Sequence, residues 1–304
     1  MPSLPSRMII WLEKVLRMDE RMSRYAGAAD DKDKFIEYIQ RMRRLDQKLP
    51  PRYLRKFLKI TEQKVQGFPL FLMSSPEGRN NKVILYFHGG AYNLGPLIPQ
   101  WARMRDLVEK LHCTVALLDY PKSPDYQCKK TMEVSLEAYD RLAMAFGGEN
   151  VFLLGDSAGG GLALSLSMVR KSLGKSLPKH IILISPWLDI SMSHAEIPNF
   201  EPLDLSLDPV GLKVQGKYYA GEVDLKDPIV SPTFGDMTGQ PPMDVFVGTH
   251  ELFYPDCRDF CEKYKKQKVF LHAYDEMQHD WVMMPTPEGD QAIDEIVRIL
   301  KTLE

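Results

Sequence analysis

Residues 151–161 read Val-Phe-Leu-Leu-Gly-Asp-Ser-Ala-Gly-Gly-Gly. Four apolar residues suited to a buried strand run into Gly155. Ser157 follows two positions later, and Gly159 repeats the spacing. The stretch 162–169 then reads as a buried helix. A serine between two such glycines, on a strand–turn–helix, is a candidate nucleophile. The turn is so tight that side chains at Gly155 and Gly159 would meet neighbouring backbone. The helix N-terminus points at the hydroxyl, and its dipole favours negative charge where a tetrahedral intermediate would form. A glycine-rich turn with an incidental serine is the plainer alternative, and the flanking strand and helix weigh against it.

A serine hydroxyl is a weak nucleophile at neutral pH and needs a base beside it. Candidates for the base and for an acid behind it are sought downstream of the serine. The downstream histidines are His180, His194, His250, His272 and His279. His279 stands just past the last expected strand, at the sheet edge where open α/β sheets place their sites. His180 opens a strand at the opposite edge, His272 lies inside a strand, and His194 falls in an irregular stretch. His279 is therefore the candidate base. The acid is expected at the end of the preceding strand, 243–247, where Glu251 and Asp256 are the candidates. Glu251 is nearer the strand. Asp256 follows Pro255 at a helix start, where N-capping accounts for it. Glu251 is preferred, to hold the imidazole tautomer and stabilise the imidazolium. Backbone N–H groups of Ala158, Gly89 and Gly90 are the candidate donors to an oxyanion.

The elements that must position these groups follow from periodicity. Residues 7–25 read as a basic amphipathic helix, with Met8, Trp11, Leu12 and Val15 on a stripe expected to pack on the protein. A second helix is expected over 31–48, capped by Asp30, Asp31 or Asp33 and ended by Pro50-Pro51. Strands at 59–65 and 68–73 form a hairpin. From there strands at 82–87, 113–118, 151–154, 181–184, 243–247 and 268–274 alternate with helices at 100–111, 126–146, 256–266 and 289–300. This alternation predicts a mostly parallel sheet covered on both faces. Residues 189–230 break the rhythm and read as an insertion with one helix, 209–219.

The chain has 304 residues, 44% hydrophobic and 26% charged, which suits one large α/β domain over 1–304. A net charge of −2 gives no argument for nucleic acid. The charge is uneven: residues 1–66 carry 16 Lys+Arg against 9 Asp+Glu. A solvated helical face is the preferred reading of that excess, and attraction to anionic substrates or lipid the sharper one. No apolar run approaches membrane-spanning length, so no stable membrane anchor is expected. Cys113, Cys128, Cys257 and Cys261 show no metal or disulfide spacing, and reduced thiols in the cytoplasm are the default. A homodimer stays an open alternative to a monomer.

Taken together these segments resemble the hormone-sensitive-lipase-like branch of the α/β-hydrolase esterases. The family pattern is H-G-G-G/A, G-D-S-A-G-G and a histidine followed two positions on by an aromatic. This chain has His88-Gly89-Gly90-Ala91, Gly155-Asp156-Ser157-Ala158-Gly159-Gly160 and His279-Asp280-Trp281. Asp119-Tyr120 and Ser185-Pro186-Trp187-Leu188-Asp189 also look like family segments. The resemblance runs from about residue 60 to the end. It implies an α/β-hydrolase fold with a cap built from residues 1–55 and 189–230. It implies hydrolysis of small, short-chain carboxylic esters through an acyl-enzyme, with no metal or organic cofactor. The family acid is usually Asp, whereas Glu251 stands here. An amidase or aryl formamidase with the same triad is the alternative enzyme. A small-molecule receptor on the same fold is the alternative without catalysis, disfavoured by the survival of Ser157, His279 and an acid. Trp11, Tyr92, Phe200, Tyr218 and Tyr219 are candidates to line the pocket or to be ordinary core.

Overall fold

The computed structural model describes residues 2–16 and 31–303. In chain order the N-terminal part holds α1 (Leu4–Leu16), α2 (Lys32–Met42), β1 (Lys59–Val65) and β2 (Phe68–Ser74). Next come β3 (Val83–Phe87), α3 (Ile98–Leu111), β4 (Thr114–Leu118), α4 (Cys128–Phe146), β5 (Val151–Asp156), α5 (Ala158–Ser172) and β6 (Ile181–Ile184). The C-terminal part holds α6 (Ile197–Phe200), α7 (Pro209–Ala220), β7 (Met243–Gly248), α8 (Tyr254–Tyr264), β8 (Val269–Tyr274) and α9 (Pro287–Lys301).

The strands form one sheet in the order β1-β2-β4-β3-β5-β6-β7-β8. β1 and β2 pair antiparallel, as do β2 and β4, and every other pairing is parallel. Every residue of β3 to β7 is buried, as near-continuous apolar strands require when helices cover both faces. The edge strand β1 is mostly exposed instead and buries only Ile60 and Val65, one on each face of the sheet. Within β5 the side chains divide by the two-residue period. Leu153 packs on one face with Ala138 of α4, Leu166 of α5 and Phe260 of α8. Phe152 and Leu154 pack on the other with Trp101 of α3 and Ile296 of α9.

The site-bearing loops all leave the sheet at the C-terminal ends of its parallel strands. Two further segments lie over them. α2 is capped by Asp31, whose side chain accepts from the N–H groups of Asp33 and Lys34 at 3.2 Å each. Its Phe35 ring stacks on Tyr218 of α7 at 4.0 Å, and Tyr38, Ile39 and Val214 complete that contact. The N-terminal segment and the insertion thus pack on each other.

Two expectations are corrected. The second helix stops at Met42 and tightens into a 3₁₀ turn over Arg43–Leu45. There Arg43 donates to the carbonyls of Asn93 and Ser123 at 2.8 and 2.6 Å and ties the chain to the loop after β3. The first helix ends within the described residues at Leu16, and its continuation to 25, like Asp30, lies outside them. Its apolar stripe also faces the other way. Met8, Trp11 and Leu12 are exposed, while Ser6 is buried and Ile9, Ile10 and Glu13 are half-buried. The reason is polar: the Ser3 and Ser6 hydroxyls donate to Glu288 at the start of α9, at 2.7 and 2.6 Å, and these bonds choose the face that docks.

Leu153→Ala removes a side chain buried on all sides in the strand that carries Ser157. It is expected to lower unfolding stability by about 2–5 kcal/mol. A shift in the urea midpoint at unchanged slope measures it.

Candidate active site

The turn after β5 places Ser157 at φ 52° and ψ −122°, a conformation that non-glycine residues rarely adopt. It is held by backbone bonds on both sides. Ser157 N–H donates to Ile184 O at 2.8 Å, and Trp187 N–H donates to Ser157 O at 2.9 Å. The flanking glycines are forced by contact. A Cβ on Gly155 would lie 2.2 Å from Gly159 O, and one on Gly159 would lie 2.0 Å from Phe87 O. The serine is therefore pressed directly onto the end of β3, where the His88-Gly89-Gly90 loop begins.

His279 reaches Ser157 from the loop after β8. Its Nε2 lies 3.0 Å from Ser157 Oγ, and its Nδ1 lies 2.6 Å from Glu251 Oε2. Glu251 is fully buried in the loop after β7. Its other oxygen accepts from Gly248 N–H at 2.7 Å and from Ser185 Oγ at 2.8 Å. The carboxylate is thus fixed in plane with nothing left to rotate. The Phe253 ring meets the imidazole edge-on at 5.0 Å. Burial lowers the basicity of His279, but Asp280, Glu251 and Asp204 together outweigh it and hold the imidazole above its ordinary value.

Asp256 makes no contact with this group. It stands inside α8, whose N-cap is Phe253, so it is not the cap the sequence suggested. Burial, helped by the nearby charge of Asp189, pushes its carboxyl up to about 7.

The loop after β3 is braced rather than free. Asp156, fully buried beside the serine, accepts from Tyr86 Oη, from Gln100 Nε2 at 2.7 Å and from Gly89 N–H at 3.0 Å. Gly89 N–H is therefore taken, which corrects its expected place as an oxyanion donor. Gly90, at φ +117°, comes next, and among the described residues no acceptor is found for its N–H or for that of Ala158. His88 is buried under Tyr120, stacked at 4.4 Å, and Tyr120 Oη donates to His88 O at 2.7 Å. Asp280 follows the histidine, and its Oδ2 lies 3.4 Å from His279 Nε2. Burial raises the Asp280 carboxyl, and the neighbouring His279 opposes that rise.

A cavity of about 200 Å³ opens over Ser157 and His279. Gly90 and Leu97 form one wall, Tyr38 and Met42 another, and Leu207 and Leu212 a third. None of Trp11, Tyr92, Phe200, Tyr218 and Tyr219 lines it. Tyr92 and Tyr219 instead stack face to face at 3.6 Å in the core.

Several members of the site escaped sequence reading. Asp204, in the insertion, accepts from Leu252 N–H at 2.8 Å beside the acid. Burial raises its carboxyl to about 6. Gln278 accepts from Leu205 N–H at 3.0 Å beside the base. Only Ser185 had a signal, the Ser185-Pro186-Trp187 segment at a strand end. For a metal, the described residues offer one cluster, His194, Glu196 and Asp259, away from the serine. Arg258 already pairs with both of its carboxylates, so it is held together by a cation of the chain itself.

With this geometry in view, residues 84–283 match the model of a family described by the alpha/beta hydrolase fold. The chain belongs to that family. Among its alpha/beta hydrolase relatives is an esterase of Acinetobacter venetianus, 31% identical over 229 residues, which span 73% of this chain and 76% of that one. An acetyl-hydrolase of Streptomyces hygroscopicus is 31% identical over 235 residues, 75% and 78% of the two chains. A crystal structure of a hormone-sensitive-lipase homologue from a metagenome library shares the fold. Its TM-score is 0.78 at 24% identity, with 93% of this chain and 97% of that chain covered. No helix among the described residues of this alpha/beta hydrolase is long and apolar enough to cross a membrane.

Two outcomes follow for the charges. Glu251→Gln removes the carboxylate that most directly supports the imidazolium, so the His279 titration, followed by NMR, is expected to move to lower pH. Asp256→Asn removes a carboxyl whose folded value is raised, and so a group that destabilises the fold above the ordinary carboxylate range. The variant should melt at or above the wild type at pH 8, and the difference should vanish as pH falls towards 4.

Proposed function

We propose that the chain, an ester-hydrolysing enzyme of the alpha/beta hydrolase fold, is a serine carboxylesterase that acts on small, short-chain esters through an acyl-enzyme. The observation that carries this reading is the unbroken run Ser157 Oγ–His279–Glu251, at 3.0 and 2.6 Å, opening into a cavity. His279 Nε2 takes the proton as Ser157 attacks the ester carbonyl. Glu251 keeps Nδ1 protonated and stabilises the imidazolium without taking its proton. The oxyanion forms beside the N–H groups of Gly90 and Ala158, the latter aided by the α5 N-terminus. Gly89 holds that loop in place through Asp156. The imidazolium then protonates the leaving alcohol, and water activated by His279 releases the acid.

The cavity of about 200 Å³, smaller than most sites for drug-sized ligands, supports short acyl groups. The N-terminal segment and the insertion act as the cap, because α2 and α7 pack on each other above the serine. Names of the relatives, an esterase and an acetyl-hydrolase, support the same substrate class.

A p-nitrophenyl ester series from acetate to long acyl chains tests the reading, with Ser157→Ala alongside. Turnover should be greatest for the shortest chains and vanish in the variant. No turnover by folded wild type would sink it and favour an amidase or a ligand-binding role. Glu251→Gln should lower kcat by orders of magnitude, whereas Asp256→Asn should leave it near wild type. Reversed results would name Asp256 as the acid. A base held above its usual value is neutral only at higher pH, so kcat/KM should climb between pH 6 and pH 9 on a stable substrate.

A further inference from the structure

Residues 41–57 hold seven cations and a single acid, Asp46. Asp46 is tucked against Gly95, where burial raises its carboxyl. The cations Arg44, Lys48, Arg52 and Lys56 are exposed, and among the described residues none is within ion-pair distance of an acid. Large apolar side chains alternate with them. Leu45 and Leu49 are 66% and 62% exposed, and Tyr53 and Phe57 are exposed as well. α1 repeats the pattern: Met8 and Trp11 face solvent at 64% and 63%, beside exposed Arg7 and Lys14.

The 41–57 stretch reaches the catalytic cavity at Met42, and α1 reaches His279 through a separate, smaller pocket. Gln47 N–H donates to Pro96 O at 2.7 Å, and Trp101 Nε1 donates to Gln47 O at 2.9 Å, so the 41–57 stretch is fastened beside Leu97 on the cavity wall. Ile9, Ile10 and Glu13 of α1 line that smaller pocket together with His279 and Trp281.

We propose that this basic and apolar surface docks reversibly onto an anionic lipid surface, with the cavity mouth turned towards the lipid. Interleaved cations and exposed apolar side chains suit that partner, because head groups take the charge while leucine, tyrosine and tryptophan enter the interface. A second copy of the chain fits worse, since a two-fold contact would set this run of cations against itself. The docked orientation would let ester amphiphiles enter from the lipid. That consequence rests on the esterase reading, whereas lipid binding does not.

Vesicles of phosphatidylcholine, with and without phosphatidylglycerol, test the docking by cosedimentation and by tryptophan emission. Trp101, Trp187 and Trp281 are buried, so a shift in emission reports Trp11. The full chain is expected to bind the anionic vesicles with a blue shift and to ignore the neutral ones. It should be released at about 1 M salt, where the screening length falls to roughly 3 Å. The double variant Arg44→Glu with Lys48→Glu should bind about tenfold more weakly or worse. Leu45→Ser with Leu49→Ser should weaken binding even at low salt. Neither should change hydrolysis of soluble p-nitrophenyl acetate without vesicles, or, should that assay be silent, the melting temperature. Equal binding to both vesicle types, no blue shift, or variants that bind like wild type would overturn the proposal. So would light scattering that shows a dimer which the leucine variant splits, since the face would then be a self-interface.

Discussion

A buried carboxyl group, Asp156, is the contact on which the geometry of the site depends. It ends the strand that delivers Ser157, and it receives Tyr86 from β3, Gln100 from α3 and the backbone of Gly89. Those partners belong to two stretches of chain, the end of β3 with its loop and the start of α3. A charge in apolar surroundings is tolerated only when it is surrounded by donors, and here the donors are parts the site must hold still. The same Gln100 uses its carbonyl oxygen to accept from Leu97 N–H at 2.7 Å, which fixes the start of α3 and the cavity wall. Ser157, the loop after β3 and the pocket rim are thus registered against one another by a single side chain.

The second constraint is close backbone approach. Glycine at 155 and 159 lets the turn sit on the end of β3 with no side chain between them, so the serine and the loop after β3 are neighbours by contact. The strained φ of Ser157 is kept by the bonds to Ile184 and from Trp187. Local strain at Ser157 is carried by the sheet beneath it.

The strand–helix alternation was legible because buried parallel strands are nearly all apolar and their helices keep a 3.6-residue period. The serine, the histidine and Glu251 were legible because each stands at a strand end within a distinctive local pattern. Asp204, Gln278 and Gln100 were not, because each acts across a long separation in the chain and carries no local mark. The orientation of α1 was misread for a related reason. Periodicity identifies an apolar stripe but not whether it packs, and two serines bonded to Glu288 outweighed it. Asp256 looked like a cap from its place after Pro255, yet the helix begins two residues earlier, at Tyr254.

The insertion is bonded to the loops of both Glu251 and His279. Asp204 grips the loop of Glu251, and Gln278, next to His279, grips Leu205 and Leu203 at 3.0 and 3.1 Å. Such a segment is not an interchangeable module. Grafting a different one to reshape the pocket would unsettle Glu251 and His279 together unless it brought a carboxylate and a matching backbone turn to the same places. Variation in substrate range within this architecture is therefore easier to reach by changing the side chains that face the cavity than by exchanging the segment whole.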